Sequence, residues 1–239
     1  EIVYSSVFPP EALARARLVL VEFPDTPNNL ALMQGLYYYS ASYINGVING
    51  NPLDPEYVGL ASAYENSDEE SLRKRTEEVI NLIVGDQSDL YQDYDKDGNI
   101  DSSDGDGYGS LPNGDHAGYL QATISRVKDI ADAQDSTPNM RLYSENIQTC
   151  VQNMSTWSER LLELATQLNG MNLSGDMEGL VSEMVDLGRN LVRGADANGN
   201  GLVEPLPDEC GADMAYEHSW YLVEMPLYIG PGRVPPSGK

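Results

Sequence analysis

The stretch TPNMRLYSENIQTCVQNMSTWSERLLELATQLNG, residues 137–170, decides the fold. Thr137 offers an N-cap oxygen, and Pro138 stands at the first helical position, where a missing N–H costs nothing. Ile147, Val151, Met154, Leu161, Ala165 and Leu168 then recur at the spacing of one helix face, and Asn169-Gly170 supplies a stop. A long amphipathic helix is the only regular element that satisfies all three signals.

The same grammar recurs outward from this segment. Thr26-Pro27 opens a run in which Leu30, Met33, Tyr37, Ala41, Ile44 and Val47 share a helical face, and Asn49-Gly50 closes it. Asp54-Pro55 marks another start, and Ser67-Asp68-Glu69-Glu70 reads as a capping box. Leu72, Val79, Ile80 and Ile83 lie on one further amphipathic helix, with Met177, Leu180, Val181, Met184 and Leu191 on another. Alternating strand patterns are scarce, so the expectation is an all-α bundle of about seven helices.

Set side by side, the segments predict an internal duplication. Each half runs from a long helix through a helix ending in Asn-Leu (Asn81-Leu82-Ile83-Val84-Gly85, Asn190-Leu191-Val192-Arg193-Gly194) to an Asp/Asn-rich loop and an acid-His-x-x-Tyr-Leu sequence. From the first loop Asp to the His is 23 residues (93 to 116) in one half and 22 (196 to 218) in the other. The organisation expected is an N-terminal segment 1–25 with a short helix, repeats 26–136 and 137–225, and a Pro/Gly-rich arm 226–239. The repeats would pack as one pseudo-two-fold domain, because neither half alone carries a large core. The first half has a short extra helix from about Pro55 and an insertion from Asp86 to Gln92.

The loops carry the chemistry. In the first, Asp93, Asp95 and Asp97 stand at positions 1, 3 and 5, Gly98 at 6, Asn99 at 7, Asp101 at 9 and Asp104 at 12; in the second, Asp196, Asn198 and Asn200 are followed by Gly201, Leu202 and Glu204, with Asp208 beyond. Hard oxygen donors in this number suit a divalent cation with an irregular shell of six to eight ligands. Over these dozen residues the chain resembles the calcium loops of EF-hands and dockerin modules, which implies two Ca2+ sites. The first would be the stronger, because affinity follows ligand charge. Gly105, Gly107, Gly109, Pro112 and Gly114 postpone the exit helix to about Asp115, so no paired EF-hand lobe and no sensor movement are expected.

The remaining features bound the role. A formal charge of -24 on 239 residues disfavours nucleic acid and anionic membranes as partners. No run of about 18 apolar residues suggests membrane insertion. Acidity, constitutive calcium and a start without Met suggest an exported protein, extracellular, at the cell surface or periplasmic. Cys150 and Cys210 would there form either one disulfide or two buried thiols. Fifteen Tyr against two Phe, concentrated at Tyr37-Tyr38-Tyr39 and Tyr43, suit a core or an interface with other protein subunits. Asn153-Met154-Ser155 and Asn172-Leu173-Ser174 are formal glycosylation sequons. His116 and His218 hydrogen-bond near their loops, or else bind a transition metal, since the duplicated helical layout is also similar to that of imelysin-like periplasmic proteins. No Gly-x-Ser-x-Gly elbow, phosphate loop or His-Glu-x-x-His occurs, which leaves a hydrolase with a carboxylate pair as the catalytic alternative. A calcium-stabilised structural or interaction subunit is the function expected.

Overall fold

A computed structural model describes residues 4–51, 54, 56–102, 105–171 and 177–229. It is mostly helical. In chain order the helices are α1 (Pro10–Leu20), α2 (Leu32–Tyr37), α3 (Ile44–Asn49), α4 (Leu60–Glu65), α5 (Glu69–Val84), α6 (Gly118–Ala131), α7 (Pro138–Asn169), α8 (Glu178–Arg193) and α9 (Ala212–Leu222). A π-helical turn, Tyr38–Tyr43, joins α2 to α3 without a break in direction of the chain.

The 32-residue α7 is the spine, about 48 Å long at the helical rise. Thr137 caps it as expected, its side chain accepting from the Met140 N–H at 3.2 Å. Its apolar face is fully buried from Ile147 to Leu168, and α5, α6, α8 and α9 all pack against it. Helix α8 lies against α3, and α6 against α1 and α2. One continuous core results, and no helix among the described residues is long and apolar enough to cross a membrane.

Several predicted boundaries shift, each for a local reason. Thr26-Pro27 starts only a single 3-10 turn, Pro27–Asn29, and not the long helix: the Thr26 hydroxyl shares its proton between the carbonyls of Phe23 and Leu30, and Asn28 and Asn29 turn left-handed at φ 57° and 55°, so α2 begins only at Leu32. Asp68 rather than Ser67 caps α5, accepting from the Ser71 N–H at 3.2 Å. The short helix starts at Leu60 after Gly59, away from Asp54; Pro55 lies outside the described residues. Gly170 ends α7 in right-handed geometry, whereas Gly50 has the left-handed φ expected of it, 87°. The C-terminal arm is not free at its start. Leu227–Ile229 forms strand β2, antiparallel to β1 (Tyr4–Ser6), with Ser5 opposite Tyr228.

The π turn solves the problem of four tyrosines on one helix by re-phasing them. Tyr39 turns inward and stacks on Tyr119 at 5.7 Å, while Tyr38 remains exposed. The Tyr119 ring, wholly buried, lies flat against the backbone of α2 at Gly35, where an added Cβ would overlap the ring. Gly35→Ala is therefore expected to lower stability by about 1–3 kcal/mol. Gly46→Ala, on α3 with nothing within 4 Å, should instead be neutral or stabilising, since Ala is the better helix former. Thermal melts of the two variants distinguish a packing constraint from a generic helix effect.

Candidate metal centre

Both acidic loops begin at a helix that is shut off by a left-handed glycine. Gly85 (φ 73°) ends α5 and Gly194 (φ 79°) ends α8. The next residue then hydrogen-bonds to the chain returning from the loop: Asp86 N–H donates to Gly107 at 2.9 Å, and Ala195 N–H to Glu209 at 2.7 Å. Two residues on, Gly109 lies against Gly85 and Gly211 against Gly194, each so close that a Cβ would come within 2.9 Å of that glycine's backbone. A helix end, a loop and a returning strand are thus closed in the same way twice.

Inside each loop the first Asp organises the turn. Asp93 accepts from the N–H of Lys96 at 2.6 Å and of Gly98 at 3.0 Å; Asp196 accepts from Asn200 at 3.0 Å and Gly201 at 2.8 Å. The glycine at the sixth position takes the positive φ it was expected to need, 96° at Gly98 and 86° at Gly201. Asp95 and Asp97 accept from the N–H groups two residues on, and Asn99 is held by Asp97 through both its main-chain and side-chain N–H. The carboxylate oxygens of Asp95, Asp97 and Asp101 lie within 4.8 Å of one another. Asp104 lies outside the described residues. Asp106 is turned away, its carboxylate taken by the Tyr119 hydroxyl and the Tyr108 N–H.

The residue that sequence reasoning missed is Glu77. It sits on α5, fully buried, and both of its carboxylate oxygens face the loop. One accepts from the N–H of Tyr94 at 2.6 Å and of Asp95 at 3.0 Å, the other from Asp101 at 2.7 Å. Its oxygens also lie within 4.8 Å of those of Asp93 and Asp95. One turn further along α5, Asn81 donates to the carbonyls of Gln92 and Asp101 and accepts from the Gln92 N–H. Glu77 reads in sequence as one more acid in the helix Glu69–Val84. Only its place on the buried side, one turn before Asn81, marks it.

The electrostatics suit a cation. Burial pushes the Glu77 carboxyl above its usual range, partly offset by the three N–H donors, and burial together with the charges of Asp97, Asp101 and Asp93 does the same to Asp95. Lys74 is the built-in counter-charge, 2.9 Å from Asp101. A hard cation with oxygen ligands would relieve this repulsion, and the donor set of four aspartates and a buried glutamate fits calcium.

The second loop is poorer in charge but is closed by a matching device. Glu209, also buried, accepts from the Asn198 side-chain amide at 2.5 Å and from the Glu204 N–H at 3.0 Å. The Asn200 amide donates to Glu204 at 2.6 Å, and its oxygen accepts from the Leu202 N–H at 2.8 Å. Asp208 is exposed and left-handed at φ 65°, with its N–H on Asn153, so Glu209 rather than Asp208 faces the loop. Cys150 and Cys210 form a disulfide, which pins the returning strand to α7 beside Glu209. Asn153 also binds the carbonyls of Leu206 and Cys210, so this sequon asparagine is engaged in the core; the other sequon lies outside the described residues.

The histidines keep equivalent places in the sequence but differ in local structure. His116 precedes α6, with Nε2 2.9 Å from the Gln87 amide and Nδ1 3.9 Å from Asp86. Glu217 and His218 lie in the middle of α9, and His218 packs against Tyr143 and Tyr221. Among the described residues neither histidine belongs to a cluster of three ligating side chains. Ile100 is exposed while Val203 packs against the core, so the apolar eighth positions do not form a matched pair. Comparison of the chain with family models, with curated proteins and with solved structures finds no match in any of the three.

Two variants test this centre. Glu77→Gln replaces an acceptor by an amide that faces three N–H donors, and should weaken cation binding at the first loop about 10- to 100-fold, as supporting residues do at other metal sites; calorimetric titration reads it. In chelator the same pair isolates the proton linkage. A raised folded pKa stabilises below the unfolded value and is lost as pH rises through the folded one. The stability of wild type relative to Glu77→Gln should accordingly fall as pH rises above the ordinary carboxylate range. Replacing both cysteines by Ser should cost about 2–5 kcal/mol and impair the second loop more than the first.

Proposed function

We propose that this protein is an exported, calcium-stabilised helical protein that serves as a structural or interaction subunit of a cell-surface or extracellular assembly. The observation that carries the reading is the double anchoring of the loops. In each, the first Asp takes the N–H of the sixth-position glycine, and a buried glutamate from outside the twelve-residue loop takes the N–H of the ninth residue. Such a loop is tied to the helical frame through its own backbone N–H groups, which suits a cation that stiffens the scaffold. Asp93, Asp95, Asp97, Asn99 and Asp101 would hold the first ion, and Asp196, Asn198, Asn200, Leu202 and Glu204 the second.

The two closures also support descent from a duplicated unit, with Gly85 corresponding to Gly194 and Gly109 to Gly211. In this register the acid-His sequences stay in step, each His seven residues after its closing glycine (109 to 116, 211 to 218), although α6 begins only at Gly118 whereas α9 follows Gly211 directly. The buried disulfide favours an oxidising compartment. The exposed aromatic side chains near α2 and α9 favour a role in binding other molecules.

Calcium in about 100-fold excess over its dissociation constant should add about 2.7 kcal/mol per site, several degrees in the melting temperature of a chain this size. Calorimetric melts in calcium, magnesium and EDTA check this. A midpoint unchanged by EDTA would exclude structural calcium, and a stoichiometric transition metal in the purified protein would favour the histidine reading.

A further inference from the structure

Away from the loops, α2 and α9 with the end of α1 enclose an open groove of about 800 Å³. Its walls combine aromatic rings with the apolar side chains of Leu20, Val21, Met33 and Val223. Tyr37 and Tyr38 meet edge to face at 5.7 Å, Tyr37 lies 5.4 Å from Tyr216, and Tyr216 lies 6.2 Å from Trp220. Trp220 is 62 % exposed and Tyr38 45 %, although every one of these rings is large enough to have been buried to advantage. On the face of α9 that bears Tyr216 and Trp220, Asp213 bonds to the Tyr37 side chain.

The charge of the groove is one-sided. Among its described lining residues Asp213 carries the only charge; Gln34 and Ser219 add neutral polar groups, and no Lys or Arg is present. The chain as a whole carries -24. Aromatic faces present negative quadrupole to whatever lies over them, and a carboxylate beside them adds a full charge, so the combination favours a cation with an apolar surface. A neutral sugar or a hydrocarbon would use the rings and leave the carboxylate unmatched. An inorganic cation would use the carboxylate and leave the rings unmatched.

We infer that this groove binds an organic cation of the alkylammonium class, its methyl groups seated over Tyr38, Tyr216 and Trp220 and its charge facing Asp213. The site lies apart from both acidic loops and does not rest on what they bind. Its tyrosines come from the last residue of α2, Tyr37, and the first of the π turn, Tyr38, while Tyr39 packs against the core and stacks on Tyr119.

The test is calorimetric titration of the calcium-loaded full chain with choline and with its neutral isostere, 3,3-dimethyl-1-butanol. Choline should bind saturably. Asp213→Asn and Trp220→Ala, both at exposed positions, should each weaken it about fivefold or more, while Glu145→Gln, an exposed acid outside the groove, should leave it unchanged. The isostere should bind more weakly than choline. Equal binding of the isostere, a choline affinity indifferent to Asp213 and Trp220, an equal loss with Glu145→Gln, or absence of saturable choline binding would each overturn the inference. So would a neutral oligosaccharide that binds this groove in preference to choline.

Discussion

The structure turns on a buried carboxylate. Taking a glutamate out of water is costly unless hydrogen-bond donors replace the lost solvent, and Glu77 obtains three from a loop that has no regular structure of its own. The obligation runs both ways. The loop N–H groups of Tyr94, Asp95 and Asp101 need acceptors as much as Glu77 needs donors, so helix and loop hold each other in one arrangement. Glu209 imposes a similar constraint on the second loop from the opposite direction, from the strand that leaves the loop rather than from the helix that enters it.

That difference has mechanical consequences. In the first half, anchoring through α5 and Asn81 keeps the acid-rich segment against a helix that is itself packed on the spine α7. In the second, the anchor belongs to a short returning strand, which needs its own restraint, and the Cys150–Cys210 disulfide with the Asn153 hydrogen bonds provides it. Unequal charge and unequal restraint go together: the loop with more carboxylates has the stiffer support. The close approaches to Gly85 and Gly194 exclude a side chain at Gly109 and Gly211, while Gly85 and Gly194 need their positive φ and have Asn113 and the Glu209 carbonyl where a Cβ would stand.

Much of the fold was legible because helix signals are local. The Thr137 cap, the buried face of α7 and the positive φ at Gly98 and Gly201 follow from residues a few places apart, and they occur as read. The reading failed where a local signal had a rival. Thr26-Pro27 opens a single 3-10 turn rather than the long helix, because two asparagines that turn left-handed follow it and the Thr hydroxyl faces carbonyls rather than an N–H. The acid-His-x-x-Tyr-Leu match puts two histidines in register along the chain but not in the same local structure, since one precedes its helix and the other lies in the middle of its own.

By itself the sequence determined the helical class, the spine and the oxygen-rich loops, since each depends on spacing along the chain and on the chemistry of neighbouring side chains. Only the tertiary structure decided which acids matter. Glu77 is distinguished from Glu69, Glu70 and Glu78 by which side of α5 meets the loop, and Glu209 from Asp208 by one residue of backbone geometry. The aromatic groove is likewise a tertiary product: Tyr37 and Tyr216 are far apart in sequence and meet only where α2 packs against α9. Burial and charge partnership are properties of surfaces brought together, and no spacing rule along one chain encodes them.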